Sequence, residues 1–365
     1  MSERAWFVPG RIEILGKHTD YAGGRSLVCA VERGIVVMAQ PRDDALVRVV
    51  DAAGGEVSFE IGPNLAPPAG HWSNYPMTVA RRLARNFAGR MRGVDLAFAS
   101  DLPQAAGLGS SSALVIATYL ALADANELER RPEYGPHIGT LDDLATYLSC
   151  IEMGGSFGAL AGDAGVGTRG GAQDQTAILC CRRGAVSQYG WRPVRHERTI
   201  AMPPGHRFIV GVSGVVADKT GAALEAYNRL ARETEGLPER WPPARLEQFQ
   251  AECEEIIPAV GDALERGAVN AIGRLVDRSQ ALAERCLRNQ VPETVALQRS
   301  ARELGAVAAS AFGAGFGGSV WALVREDYAE GFREQWASRY RGEFPEAGAK
   351  SEFFVTRAGP GVTRL

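Results

Sequence analysis

Residues 101–118, reading DLPQAAGLGSSSALVIAT, constrain this chain more than any other stretch. Before them, residues 94–100 (VDLAFAS) have the composition of a strand, and after them residues 113–125 have the composition and length of a helix. A glycine turn that opens a helix joins two features. Gly107 and Gly109 leave backbone amides with no side chain in front of them, and the helix start supplies unsatisfied N–H groups at the positive end of its dipole. An anion, above all a phosphate, suits such a place. Ser110, Ser111 and Ser112 add hydroxyls that can cap the helix, donate to phosphate or reach a phosphate-bound magnesium ion. A serine-capped helix without any ligand accounts for the same residues when the stretch is read alone.

At 365 residues the chain can bury a large core, and its length suggests two domains or two lobes. The net charge of -3 and the lack of any basic run argue against a nucleic-acid partner. No apolar stretch approaches a membrane span, and MSERAWFVPG lacks the apolar centre of a signal peptide, so a cytoplasmic protein without a membrane partner is expected. The six cysteines (Cys29, Cys150, Cys180, Cys181, Cys253, Cys286) form no CxxC pairs and read as reduced core residues. The five histidines (18, 71, 137, 196 and 206) lack the spacing of a zinc site.

Residues 8–24, VPGRIEILGKHTDYAGG, invite comparison with a phosphate-binding P-loop. That motif needs four residues between its first glycine and the Gly-Lys pair and then Ser or Thr; here five separate Gly10 from Gly16, and His18 follows Lys17. The P-loop reading fails. What remains is a charged cluster, Arg11, Lys17, His18 and Asp20, beside a glycine pair: a polar-ligand site or a solvated turn. Residues 26–40 predict two strands, or one long strand broken at Gly34, and residues 46–51 and 56–61 predict a hairpin. Residues 76–88 predict a helix. Residues 141–153 carry a helical apolar stripe with Glu152 beside it, the usual setting of a solvated helix-end glutamate. Residues 154–171 hold eight glycines and predict a loop that is mobile without ligand. The loop delivers GGAQDQ, where Asp174 can serve as a general base, orient a hydroxyl or simply cap a helix.

Residues 207–213 predict a strand that opens the second lobe after Pro203 and Pro204, and helices are expected at 221–235, 245–266 and 269–289, with Leu246, Phe249 and Cys253 on one face. A helix is also expected over 297–309. Beyond it, Gly313, Gly315 and Gly318 match GxGxxG, but with a helix before and a strand after, which is the wrong order for a dinucleotide-binding fold. They read instead as a close backbone approach, to a ligand or to the first glycine loop.

Three separated stretches, GRIEILGKHTDYAGG, LPQAAGLGSSSALVIATY and FGAGFGGSVWALV, together resemble the GHMP small-molecule kinases, and the first is similar to the galactokinase signature. GGAQDQ resembles the catalytic segment of galactokinases. The resemblance implies an α/β (α+β) fold of two lobes, a ribosomal protein S5-like N-terminal domain over residues 1–200 and a C-terminal domain with a helix-covered sheet over residues 201–365. It implies an ATP-dependent kinase that phosphorylates the anomeric hydroxyl of a galactose-like monosaccharide or hexuronate with Mg2+, as monomer or homodimer. By motif, Gly107, Leu108, Gly109, Ser110, Ser111 and Ser112 would cradle the ATP phosphates. Asp174 would be the catalytic aspartate and Arg11 its cationic partner, Ser111 and Glu152 would hold magnesium, and Lys17, His18, Asp20, Gly171, Tyr227 and Gly315 would face the sugar.

Two departures from that pattern matter. The spacing between Glu152 and Asp174 is longer than in galactokinases, and Lys17 stands where they carry a glutamate near the sugar's 6-hydroxyl. Lys17 is one of three lysines in the chain, beside Lys219 and Lys350, and an ammonium at that place would favour an acceptor with an acidic group at its sixth carbon. Alternatively Lys17 turns to solvent or pairs with Asp20, and the acceptor is neutral. Two further functions compete: a kinase of the same fold acting on a non-sugar acceptor such as mevalonate or homoserine, which HTDYAGG argues against, and a silent sugar sensor, against which the intact Arg11, Asp174 and serine run argue.

Overall fold

The computed structural model describes residues 3–216 and 221–365. Lys219 lies outside the described residues. The first half of the chain forms β1 (Arg4–Leu15), β2 (Arg25–Pro41), β3 (Leu46–Asp51), β4 (Gly55–Glu60), α1 (Asn74–Asn86), β5 (Val94–Ser100), α2 (Ser110–Ala125), α3 (Leu141–Met153), α4 (Gln173–Cys180), β6 (Ala185–Gly190) and β7 (Arg195–Ala201). The strands lie in one sheet in the order β1-β2-β5-β3-β4, with β6 and β7 joined at the other end of β2. All pairs are antiparallel except β3 with β5.

Residues 26–40 resolve to a single long strand that changes partner near Gly34. Arg25 to Val28 pair with β6, and Ile35 to Pro41 pair with β5. A side chain at position 34 would collide with the Val8 carbonyl of β1, so glycine permits the close crossing. Helix α2 shows no apolar stripe because it is buried all round: eleven of its sixteen residues are buried, between α1, α3, β1 and β2. Its N-terminus is therefore held rigidly against the first sheet. Helix α3 starts with a capping box, in which the Thr140 hydroxyl accepts from the Asp143 amide and the Asp143 carboxylate accepts from the Thr140 amide. It ends at Gly154, in the left-handed region at φ 87°.

The glycine-rich loop after α3 is irregular, as its composition predicts, but its first part is anchored. The Asp163 side chain is fully buried and accepts from Arg81 Nε of α1 at 2.7 Å and from Arg82 Nη1 at 3.5 Å. Arg82 also donates to the Gly155 carbonyl, and Asn86 Nδ2 to the Ala161 carbonyl. Its second part is tied as well, since the Val166 amide donates to the Glu152 carbonyl at 2.8 Å and the Arg169 amide to Asn228 Oδ1 at 3.0 Å, before residues 170 and 171 reach the cavity described below.

The second half forms β8 (His206–Val212), α5 (Gly221–Arg232), α6 (Pro243–Gln250), a π-helical turn (Ala251–Ile256), α7 (Ile257–Glu265), α8 (Ile272–Leu282), a second π-helical turn (Ala283–Leu287), α9 (Pro292–Glu303), β9 (Ala308–Phe312), β10 (Ser319–Arg325), α10 (Ala329–Glu343), α11 (Pro345–Gly348), β11 (Glu352–Thr356) and β12 (Thr363–Arg364). Its antiparallel sheet runs β11-β8-β10-β9. Alternate residues of β8 face two cores: Phe208 and Val210 join the core shared with the first sheet, and Ile209 meets Leu297 of α9 with Phe332 and Trp336 of α10. The chain ends by returning to the first sheet, where β12 pairs with Trp6 and Phe7 of β1.

One element departs from expectation. The helix predicted over 297–309 stops at Glu303, Gly305 follows in the left-handed region at φ 96°, and Ala308–Phe312 is a strand. The alanine-rich AASAF has helical propensity, but all five residues are buried and paired with β10, so tertiary packing overrides it.

Candidate active site

The glycine-serine stretch, β1, α4 and the loop between β9 and β10 converge on one cavity of about 610 Å³. At one wall, Gly107 and Gly109 adopt φ 75° and 80°, and Gly109 is the residue that precedes α2. No side chain caps this helix start, so the serines do not act as N-caps. The first turn of α2 brings Ser110, Ser111 and Ser112 to the cavity, where its unsatisfied amides suit an anion, while the Ser112 hydroxyl itself is turned to Glu152. Leu108 does not line the cavity, contrary to expectation: its side chain is buried in the core and its carbonyl accepts from the Arg11 amide at 2.9 Å. The loop carrying Gly313 touches the same turn, since a Cβ on Gly313 would lie 3.2 Å from the Gly107 carbonyl oxygen. That loop joins strand β9 to strand β10, so a strand and not the expected helix precedes it.

Arg11 projects from β1 into this wall. Its Nε donates to Asp174 Oδ1 at 2.7 Å and its Nη2 to Oδ2 at 2.8 Å, a two-pronged pair, while Nη1 donates to the Gly107 carbonyl. Burial disfavours the guanidinium charge, but Asp174 more than offsets this, and Arg11 lies above its ordinary pKa. Asp174 sits in the first turn of α4 and remains on the cavity surface.

Glu152 is buried, not solvated as its helix-end position suggests. Its Oε2 accepts from Ser112 Oγ at 2.8 Å and from Gln175 Nε2 at 2.6 Å. The serine bonded to Glu152 is thus Ser112, while Ser111 lies beside it on the cavity wall. Carboxylate and hydroxyl oxygens are the donors magnesium prefers, and magnesium typically takes few protein ligands and completes its shell with phosphate and water. The lining sets five carboxyl groups (Glu13, Asp20, Asp51, Glu152, Asp174) against a single guanidinium, Arg11, among the described residues. A polyphosphate there requires a further cation, so the residues present fit magnesium.

A further part of the lining gathers residues from both halves of the chain. His18, Asp20, Gly171, Tyr227 and Gly315 all line it. A side chain on Gly171 would collide with Asp20, and one on Gly315 with Asn289, so both glycines are sterically required. His18 adopts φ 58°, an uncommon backbone state for a non-glycine residue and one that concentrates at functional sites. Its Nε2 donates to the Ala314 carbonyl at 2.9 Å and its Nδ1 accepts from Tyr21 Oη at 2.6 Å, the tautomer this arrangement requires. Burial, with the nearby charges of Arg245 and Lys17, pushes its pKa down to about 3, so the ring is neutral. With both nitrogens engaged, His18 offers a ring face, which packs against Tyr227 at 5.3 Å.

Lys17 is the clear correction. It does not line the cavity, turn to solvent or pair with Asp20: its side chain is buried and Nζ donates to Ser310 Oγ of β9 at 2.7 Å. Burial lowers its pKa, against the opposing pull of Glu252 and Glu13. The turn that carries it is gripped by a polar helix face the sequence did not reveal. Glu252 Oε1 accepts from the Gly16 amide at 2.8 Å, Gln248 Nε2 donates to the Lys17 carbonyl at 3.2 Å, and Arg245 donates to the His18 carbonyl. The expected apolar face of the same segment packs beside it, with Phe249 and Cys253 against Gly24.

Further lining residues escaped the sequence reading. Glu13 lies two residues from Arg11 on β1, hence on the same face of the strand, and its Oε2 accepts from Gln173 Nε2 at 2.8 Å. Strand alternation from Arg11 would have found it. Trp72 and Phe98, whose rings meet edge to face at 6.1 Å, form an aromatic end with Ile35 and Leu102. These come from three separate segments with no shared motif.

Comparison with known proteins identifies the family. The galactokinase galactose-binding signature matches residues 2–41, the GHMP kinase N-terminal domain residues 74–182 and the GHMP kinase C-terminal domain residues 262–342. A galactokinase of Roseiflexus sp. (strain RS-1) is 28% identical over 386 aligned positions, covering 98% of this chain and 92% of that protein. Among solved structures, Lactococcus lactis galactokinase complexed with galactose superposes with a TM-score of 0.83 at 21% identity, over 100% of this chain and 95% of that one. Methanococcus jannaschii mevalonate kinase does so with a TM-score of 0.68 at 16% identity, over 98% of each chain. No helix among the described residues is long and apolar enough to cross a membrane. The chain belongs to the GHMP kinases, ATP-dependent phosphotransferases, and within that family it bears the galactokinase signature.

Proposed function

We propose that this chain transfers the γ-phosphoryl group of ATP to the anomeric hydroxyl of a galactose-like monosaccharide. The observation that carries this reading is the Arg11–Asp174 pair, which joins a carboxylate on the cavity surface to the uncapped start of α2 through one guanidinium. In this reading Asp174 orients the acceptor hydroxyl and takes its proton as the oxygen bonds to the γ-phosphorus and the bond to the β-phosphate oxygen breaks. Arg11 holds Asp174 in place and offsets charge on the transferring group. The amides of Ser110 to Ser112 and the hydroxyls of Ser110 and Ser111, with Gly107 and Gly109, bind the phosphates, and the aromatic end at Trp72 and Phe98 suits the adenine. Magnesium, when bound, neutralises phosphate charge; Ser111 and Glu152 would hold it, with Ser112 and Gln175 fixing the glutamate.

Asp20, Gly171, Tyr227, Gly315 and the His18 ring form the sugar wall in this reading. A neutral sugar suits it better than a hexuronate, because Lys17 is turned away and the wall presents carboxyl groups. We divide the chain into lobes at residues 200 and 201, with β12 returned to the first lobe. Six free thiols suit a reducing, cytoplasmic setting. An ADP-release screen with ATP and Mg2+ across galactose, other aldohexoses, galacturonate, mevalonate and homoserine tests the function. Turnover is expected with galactose or an epimer; preference for galacturonate or a non-sugar acceptor contradicts it.

A further inference from the structure

Glu13 has no role in the mechanism above, yet it lines the cavity and is only 3% exposed. Its two carboxyl oxygens differ sharply. Oε2 accepts from Gln173 Nε2 at 2.8 Å, and Gln173 is itself fixed by Ser26 Oγ, which donates to its Oε1 at 2.6 Å. Oε1 is fully enclosed and has no hydrogen-bond partner among the described residues. The two cations nearest in sequence are engaged elsewhere, Arg11 with Asp174 and the Gly107 carbonyl and Lys17 with Ser310. A buried carboxyl oxygen without a donor is costly, and natural structures rarely keep one unless something else supplies the donor. Glu13 forms part of the cavity wall, so a turn of its carboxyl group about the soft terminal torsion brings Oε1 within reach of the molecule that fills the cavity, which is the available source.

Resting on the sugar-kinase reading, we propose that Glu13 is a specificity-determining residue of this chain: its Oε1 accepts a hydrogen bond from one hydroxyl of the acceptor sugar. The contact selects for a donor at that ring position and against a carboxylate there. It also accounts for how the signature tolerates Lys17: the acidic side chain facing the cavity is Glu13 on the strand, while the basic one on the following turn joins the two halves of the chain. The electrostatic setting supports this. Burial pushes the Glu13 pKa up to about 7, against Lys17, the Gln173 hydrogen bond and Arg11, while Asp20 adds to the rise. A proton on Glu13 would occupy the oxygen that Gln173 leaves open, converting an acceptor into a donor.

The test pairs substrate and enzyme deletions. Wild type, Glu13→Ala and Glu13→Gln are assayed with galactose and with its 2-, 3-, 4- and 6-deoxy analogues, with thermal melting and the KM for ATP as controls of folding. In the wild type one deoxygenation should raise the sugar KM roughly tenfold, the size expected for a hydrogen bond to a charged group. Glu13→Ala should raise the KM for galactose by a similar factor, with kcat changed far less, and should respond to that same deoxygenation by no more than about twofold. Glu13→Gln, which keeps a partner for Gln173, should fall between the two and carries the same comparison if the alanine variant does not fold. The sugar KM of the wild type should rise as pH falls below about 7, and that rise should vanish in Glu13→Gln. Turnover in which both variants keep the full penalty at every position overturns the Glu13 assignment alone. No turnover with any sugar overturns the sugar-kinase reading and this proposal with it.

Discussion

The two ends of the cavity are built from different materials. The phosphate end is backbone: two glycines with positive φ, an uncapped helix start and three consecutive serines, all from one contiguous run. The acceptor end is side chain, assembled from β1, the turn at 16–21, residues 170–173, α5 and the loop at 313–315. A site made of backbone depends on conformations that glycine alone adopts easily, so its sequence is tightly constrained and reads as a motif. A site made of side chains depends on which way each one turns. Lys17 and Glu13 show the difference, because two charged residues four apart in one signature face opposite surroundings.

If the ends work as described, damage to each should have its own kinetic signature. The largest effect is expected where they meet. Asp174→Asn should lower kcat roughly 10²- to 10⁴-fold, the range for removal of a positioned general base, and leave the KM for ATP within about threefold. Near-normal turnover in that variant would reduce Asp174 to a structural partner of Arg11.

Next comes the anchor of the loop that leads into the acceptor end. Asp163→Asn leaves Arg81 and Arg82 without their buried counter-charge and should destabilise the fold by about 3–5 kcal/mol in chemical denaturation. Although burial alone would raise it, the hydrogen bond and charge from Arg81 hold the Asp163 pKa below its ordinary value. Its contribution is therefore present above the unfolded carboxyl pKa of about 3.9 and lost as pH falls through the lower folded value. The variant should lack that acid-side loss; an unchanged denaturation midpoint at neutral pH would show the loop to be a passive insertion.

At the phosphate end, Ser111→Ala should raise the Mg2+ concentration for half-maximal activity by about five- to tenfold while sparing the sugar KM. If the sugar KM shifts instead, the boundary between the two ends is drawn wrongly. The smallest effect is expected for Lys17→Met, which should leave the ratio of kcat/KM for galactose and galacturonate within about twofold of wild type, because the ammonium lies at Ser310 and not at the acceptor. A tenfold change in that ratio would place Lys17 back in the sugar site.

The same contrast explains how much could be read from sequence. Strand β5, the hairpin of β3 and β4, helix α3 and the glycine turn before α2 follow from local pattern and turn chemistry, and all are present. Strand β9 was hidden because its alanine-rich run favours helix until it is placed against β10. Glu152 looked solvated because a single helix cannot show that Ser112 and Gln175 close over its end. Arg245, Gln248 and Glu252 carry no motif on their helical segment; they become a clamp only when the turn at residues 16–18 is laid against them. Each miss is a contact between segments far apart in the chain, carried by side chains with no periodic signature.

The central claim is that the fork of Arg11 and Asp174 presents the anomeric hydroxyl of a sugar to ATP. It is tested most directly by phosphorus NMR of the product formed from galactose, ATP and Mg2+. The account predicts a sugar phosphate whose phosphorus couples to the anomeric proton, formed by the wild type and not detectably by Asp174→Asn over the same interval. A phosphate on any other carbon, or equal product from both proteins, would contradict it.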